Sequence, residues 1–206
     1  MLIIWGRLNS VNVQKVVWAA GETGQPFERR DAGMHFGINT TPEYKAKNPN
    51  ALIPLLEDGD VSVWESHAII RYLAAKYASG SLWATDPAER SLADRWMDWT
   101  ATVFNVAMGP VFHQTVRTPV EKRDAGLVAS GIALTNQRMA LLDAHLAGRA
   151  YLAGESFTMA DIALGPFIHR WLNMPVEREA APNVERWYRA IAARPAAGPA
   201  LPLPVT

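Results

Sequence analysis

The sequence has no cysteine, which excludes a Cys-x-x-Cys redox pair, a catalytic thiolate and any thiolate metal site. Thiol chemistry on this chain would need a sulfur borrowed from another molecule. Charge of one sign is also lacking. Twenty Lys and Arg balance twenty Asp and Glu, so no general field draws the chain toward nucleic acid or an anionic membrane, and a small-molecule partner is expected. Long hydrophobic runs are missing too. Met1-Leu2-Ile3-Ile4-Trp5 is stopped at once by Gly6-Arg7, far short of the roughly 18 apolar residues of a membrane span and without the basic head of a signal peptide. A cytoplasmic location is expected, and the missing cysteine fits a reducing compartment. His35, His67 and His113 lack metal-ligand spacing, so no metal is expected.

What is present is a chain of 206 residues, 49% hydrophobic and carrying eight tryptophans. That is enough apolar material for two modest domains, each with its own core. Leu2 to Trp5 reads as a buried strand, and Asn9-Ser10 offers capping side chains before the helical stripe Val13, Val16, Val17, Ala20. Phe27 to Asp31 reads as a second strand, and the stretch from Ala32 to Lys47 as a long irregular connection. Leu55 to Glu57 and Val61 to Trp64 flank Asp58-Gly59-Asp60, a hairpin signal. Ser66 then reads as the cap of a helix with Ile69, Tyr72, Leu73 and Lys76 on one face.

Residues 79–86 read as a linker between a domain at 1–78 and an all-helical one at 87–206. Asp86-Pro87 supplies an N-cap and a first-turn proline. Leu92, Trp96, Trp99, Val103 and Val106 predict a helical face that stops near Gly109-Pro110. A second long helix should carry Leu127, Leu134, Leu141, Leu142 and Leu146, weakened early by Gly126 and Gly131. Thr158-Met159-Ala160-Asp161 is a capping box, and Val184, Trp187, Tyr188 and Ile191 share the face of the last helix.

Three places carry groups suited to chemistry. Ser10 opens a helix, so its hydroxyl should lie beside unsatisfied amides where an anion is favoured, although helix capping alone would also account for it. Pro54 holds Ile53 extended, so that the Ile53 main chain is available to a peptide laid alongside as an extra strand. Glu65-Ser66 closes a strand and opens a helix: Ser66 suits a carboxylate and Glu65 an ammonium, or the pair is an ordinary cap.

Taken together these residues resemble the glutathione transferase family. Asn48-Pro49-Asn50-Ala51-Leu52-Ile53-Pro54 is similar to its loop ending in a cis-proline, and Trp64-Glu65-Ser66-His67-Ala68-Ile69 with Tyr72-Leu73 to its strand-to-helix signature. Phe157-Thr158-Met159-Ala160-Asp161 falls where the family has its helix-capping segment. The resemblance implies an α/β plus all-α chain: a thioredoxin-like domain (β-α-β-α-β-β-α) followed by a helical domain.

It further implies that Ser10 is the catalytic hydroxyl, as in the serine-type classes. Asn12 matches a sulfur-contacting residue of nu-like bacterial members. Ile53 and Pro54 would serve the cysteinyl unit and Glu65 and Ser66 the γ-glutamyl end, leaving Asn39 or His35 for the glycine carboxylate. Leu52 departs from the glutamine that some classes have there. The expected activity is a glutathione S-transferase that attacks a small hydrophobic electrophile, with glutathione as co-substrate and a homodimer as the assembly. Trp99, Phe104, Met108 and Phe112 are candidates for the electrophile pocket, or plain core. The alternatives are glutathione-dependent reduction of disulfides or peroxides, and a non-catalytic binding protein that keeps the fold.

Overall fold

The computed structural model describes all 206 residues. Strand β1 (Leu2–Trp5) leads into helix α1 (Val11–Glu22) and strand β2 (Phe27–Arg30), which pairs in parallel with β1. After the short helix α2 (Pro42–Lys47) come β3 (Leu55–Asp58) and β4 (Val61–Trp64), then α3 (Ser66–Tyr77). The sheet order is β2-β1-β3-β4, with β3 antiparallel to both neighbours. The hairpin turns at Gly59, whose φ of 60° suits a residue without a Cβ.

The elements from β1 to α3 follow the β-α-β-α-β-β-α order that the resemblance implies. The stretch expected to be irregular forms α2, started by Pro42 and by a Thr41 hydroxyl that accepts from the Tyr44 amide. Helix α1 is buried far beyond its valine stripe. Every residue from Val13 to Ala20 is buried, Gln14 and Lys15 included, because α3 packs on it as well as α7 (Met159–Asn173). Gly165 makes the α7 approach possible: a Cβ there would meet the Trp18 ring at 2.5 Å.

The remainder is helical. Asp86 caps α4 (Pro87–Trp99) by accepting from the Glu89 amide at 2.9 Å. The helical path does not stop at Gly109-Pro110. It runs on through a π segment, Thr100–Phe104, then α5 (Asn105–Phe112) and a second π segment, His113–Arg117. Each π turn inserts a residue and rotates everything after it, which splits the expected stripe. Trp96 is 7% exposed but Val106 is 62% exposed, and the buried row continues instead through Phe104, Met108 and Val111.

Helix α6 (Ala125–Leu146) shows a similar divergence. Leu142 and Leu146 are core, while Leu127 and Leu141 are exposed. Gly131 is no weak point, since a Cβ there would lie 2.6 Å from Val111 and force α6 away from α5. Helix α8 (Pro182–Ala192) buries Val184, Trp187 and Ile191 as its spacing requires. A bidentate pair from Arg194 to Glu22, at 2.6 and 2.7 Å, ties the C-terminal segment to α1. No helix is long and apolar enough to cross a membrane, and no three His, Asp or Glu side chains converge as a metal site.

Candidate functional site

The site forms where β1 turns into α1. Gly6, with φ 147°, lets the chain pass so close to Val13 and Ile53 that an added Cβ would meet them at 2.4 and 3.3 Å. Ser10 follows as the N-cap of α1, yet its side chain makes no capping hydrogen bond. Its hydroxyl is thus uncommitted beside the free amides of the helix start.

Ile53 is gripped by its neighbours. Its side chain lies against Gly6 and Gly33, and the bond to Pro54 is cis. The carbonyls before it are fixed: Asn39 Nδ2 donates to Ala51 O at 2.7 Å, while Tyr44 Oη and Asn48 Nδ2 donate to Leu52 O at 2.7 and 2.8 Å. The N–H and C=O of Ile53 itself have no intrachain partner. That is the arrangement an added peptide strand requires.

Glu65, not Ser66, is the N-cap of α3, at φ 68° and ψ 117°. A non-glycine residue held at positive φ stores strain, which surrounding structure maintains most often at functional sites. Glu65 is exposed, whereas Ser66 is buried and its Oγ donates to Asn12 Oδ1 at 3.3 Å. The supposed face partners of this helix also diverge. Ile69 and Leu73 enter the core, but Tyr72 and Lys76 turn to Asp58, to which they donate at 2.8 and 2.7 Å.

Asn12 is the joint between these corners. Its Oδ1 accepts from Ser66 and also from the Lys15 ammonium at 3.1 Å, which leaves its Nδ2 as a free donor. Lys15 Nζ lies 3.0 Å from His67 Nε2 and 4.6 Å over the Phe167 ring. Burial, then the positive charge of Arg170, push Lys15 down to about 7, with Glu65 opposing. Burial and Lys15 hold His67 down at about 2, so its neutral ring accepts from the lysine. A cavity of about 350 Å³ opens here, lined in part by Asn12, Glu65, Ser66, Asn105 and Phe167.

Lys15 has a measurable signature. The unfolded chain keeps this proton to about pH 10.5, whereas the folded one releases it near 7, so between these values the unfolded state binds more protons and folding stability rises with pH. Lys15→Met should remove that rise, which is at most about 1.4 kcal/mol per pH unit. Melting curves of both proteins between neutral and alkaline pH check this, and parallel curves would contradict it.

A second cavity, of about 170 Å³, lies on the other side of Ser10. Arg7, Ser10 and Val11 meet Asn105, Met108, Gly109 and Phe112 of α5, His113 and Arg117 of the π segment, and Phe167 and Arg170 of α7. Of the pocket candidates, Met108 and Phe112 line this cavity. Trp99 and Phe104 do not: their rings stack 5.5 Å apart, and Phe104 is fully buried in the core.

The structure thus gathers Ser10, Asn12, Ile53, Pro54, Glu65 and Ser66 around one corner. It does not bring Asn39 or His35 into either cavity. The Asn39 amide is spent on Ala51, and His35 stacks on Phe36 with ring centres 3.9 Å apart. Reading the sequence missed Lys15, Arg7, Arg117 and Arg170. A signal existed for two of them, since Lys15 and Arg170 are charges directly followed by apolar runs, Val16-Val17-Trp18-Ala19-Ala20 and Trp171-Leu172.

Comparison with known proteins finds matches along the whole chain. The family model for the glutathione S-transferase N-terminal domain matches residues 1–75, and that for the C-terminal domain matches residues 137–190. The chain is 40% identical over 208 residues to glutathione S-transferase GstB of Escherichia coli (strain K12), covering 100% of both. It is 36% identical over 215 residues to glutathione S-transferase 3 of Zea mays, covering 98% of this chain and 96% of the other. Among solved structures, the theta class glutathione S-transferase of Xanthomonas axonopodis pv. citri with glutathione bound has a TM-score of 0.96 at 44% identity, covering 100% of this chain and 99% of that one.

Proposed function

The chain belongs to the glutathione S-transferase family, and from that premise we propose how its residues hold glutathione and activate the thiol. The observation that carries the reading is the Ser10 hydroxyl, unused as a cap at the start of α1, next to an Ile53 main chain without partners. Ile53 takes the cysteinyl unit as a short antiparallel strand, with Pro54 fixing its direction. Ser66 N–H and Oγ receive the γ-glutamyl carboxylate at the start of α3, and Glu65 accepts from the γ-glutamyl ammonium.

Ser10 then donates to the sulfur and holds it as thiolate, assisted by the α1 N-terminus and by the free Asn12 amide. The thiol proton leaves to solvent, the sulfur attacks an electrophilic carbon, and a thioether forms as the leaving group departs. Asn39 acts one step back by fixing the loop that presents Ile53. Only His35 of the original pair is left for the glycine carboxylate.

Calorimetric titration with glutathione, followed by turnover of an aryl halide and of a disulfide, tests the reading. Conjugation faster than disulfide reduction supports it, the reverse favours the reductase, and no binding of glutathione would identify a non-catalytic relative. Glu65→Ala should raise KM for glutathione about 10- to 100-fold, the worth of one charge-assisted bond, with a far smaller change in kcat. Steady-state kinetics at saturating electrophile reads that split.

Residues 79–86 serve in this reading as the linker between domains 1–78 and 87–206. A homodimer is part of it as well. Trp96 offers it little surface, being 7% exposed and packed on Trp99 and His145 at 5.1 and 4.5 Å. The exposed Leu52 and Trp64 are better candidates, and light scattering on Leu52→Glu tests them. The cytoplasm, where reduced glutathione is maintained, is the compartment this chemistry needs.

A further inference from the structure

The 170 Å³ cavity beside Ser10 is not the apolar pocket that a small hydrophobic electrophile would ask for. Three guanidinium groups meet around it, and one residue collects them. Asn9 O accepts from Arg170 at 2.8 Å and from Arg117 at 3.2 Å, while Asn9 Oδ1 accepts from Arg7 at 3.2 Å. Arg170 and Arg117 also flank the Phe112 ring, at 4.1 and 5.3 Å from its centre.

None of the three has an Asp or Glu partner. Arg29, Arg30, Arg71, Arg90, Arg189 and Arg194 each pair with an Asp or Glu; among the arginines that do not, Arg7, Arg117 and Arg170 are the ones that line one cavity together. Arg117 also donates to the Met34 sulfur at 3.6 Å and to an oxygen of Thr206 at 2.9 Å; the latter is the end carboxylate of the sequence, which touches Arg117 alone and does not line the cavity. Arg170 is only 5% exposed, and Arg7 Nε is buried with no acceptor at all. Desolvating like charges together is costly, and native chains normally supply a counter-charge. Here burial and the other two arginines push Arg170 down to about 9. Arg7 and Arg170 therefore have no counter-charge from the chain, and three positive groups meet at the cavity against the one end carboxylate on the outer side of Arg117.

We propose that the second substrate carries an anionic group, a carboxylate in the first instance, which Arg7, Arg117 and Arg170 receive while its electrophilic carbon faces the sulfur at Ser10. Phe112 and Met108 cover the apolar part of the same molecule. A guanidinium fork matches a carboxylate in two parallel bonds, so the cluster orients the substrate as well as attracting it. The inference rests on the thiolate reading of Ser10 given above.

The test compares 4-(chloromethyl)benzoate with its neutral methyl ester. The two share a reacting carbon and leaving group, and their rates are taken after subtraction of the uncatalysed reaction with glutathione. The carboxylate should be preferred about tenfold or more in kcat/KM, the worth of one charge-assisted hydrogen bond, and the preference should shrink as salt is added. Arg117→Gln and Arg7→Gln should each reduce the ratio of the two rates, and Arg170→Lys should do so while keeping a charge there. Poor folding of a variant lowers both rates together and leaves the ratio alone.

Turnover of the ester equal to or faster than that of the carboxylate in the unaltered enzyme would overturn the inference while leaving the glutathione reading intact. Arginine variants that raise KM for glutathione equally with both substrates would place the cluster on glutathione and overturn it too. If neither compound turns over, the glutathione reading is decided separately, by the titration with glutathione and the turnover of the aryl halide and the disulfide. Calorimetry with 4-methylbenzoate against 4-methylbenzamide then still decides the anion site, for which equal or absent binding is the adverse result.

Discussion

Replacing Ser10 with alanine is expected to lower turnover about 25-fold near neutral pH, with the bound thiol's pKa rising by about two units. A free thiol with a pKa of about 8.5 is only about 3% ionised at pH 7, so a shift of this size decides whether the nucleophile is present. The hydroxyl is aimed at no group of its own helix, so its removal withdraws a donor from the sulfur and little else. That gives the experiment a second arm. Deleting a working N-cap costs about 1 kcal/mol of stability, but this serine makes no cap bond, and Ser10→Ala should melt within a degree or two of the parent. The acid limb of the kcat/KM profile should move up by the same two units as the thiolate absorbance of the bound ligand. An unshifted limb with unchanged turnover would show that the α1 N-terminus and its neighbouring cations hold the thiolate without Ser10.

The sequence revealed the groups whose place is set locally. Strands, the Asp86 and Thr158 caps and the Glu65-Ser66 corner are decided within a few residues, and each stands where local pattern put it, save that the cap of α3 and the ends of β2 and β3 moved by one. The stripe from Leu92 to Val106 failed because a π turn rotates the helix at Thr100–Phe104, and no period-based reading registers an inserted residue. The arginine cluster was illegible for a different reason. Arg7, Arg117 and Arg170 are separated by most of the chain and are brought together by the packing of α5 and α7 against the Ser10 corner. A net charge of zero concealed them, since six other arginines take up carboxylates elsewhere. Asn39 was a fair guess at a ligand contact on residue type alone, and only the Ala51 carbonyl shows what its amide does.

The largest expected loss of stability lies outside the site, at Asp161. Its carboxylate is fully buried and accepts four hydrogen bonds: from Leu152 N and Trp187 Nε1 on one oxygen, at 3.1 and 2.8 Å, and from Thr158 N and Oγ1 on the other, at 2.9 and 3.3 Å. Burial pushes this acid upward against the pull of those donors, so some of what the bonds contribute offsets the desolvation of the charge. Asp161→Ala leaves the Leu152 and Thr158 amides and the Trp187 indole without acceptors, at about 1 to 3 kcal/mol each. After relief of the buried charge the net loss should be about 4 kcal/mol, which lowers melting by roughly 8 to 16 °C in a chain of this size.

Asp161→Asn should lose about half as much, because one oxygen can still serve one pair of donors while the amide nitrogen faces the other pair. Calorimetric melting of both variants checks the order, and a loss below about 1 kcal/mol for alanine would mean that water replaces the carboxylate. The consequence for function is one of direction. Asp161 lies in the first turn of α7, and Phe167 and Arg170 stand six and nine residues beyond it at the cavity beside Ser10. Fixing the first turn to residues 152, 158 and 187 therefore fixes where those two groups point. At a temperature where the variants are still folded, their selectivity between anionic and neutral substrates should degrade before the affinity for glutathione does, because Ile53, Glu65 and Ser66 hang from the sheet and α3 instead.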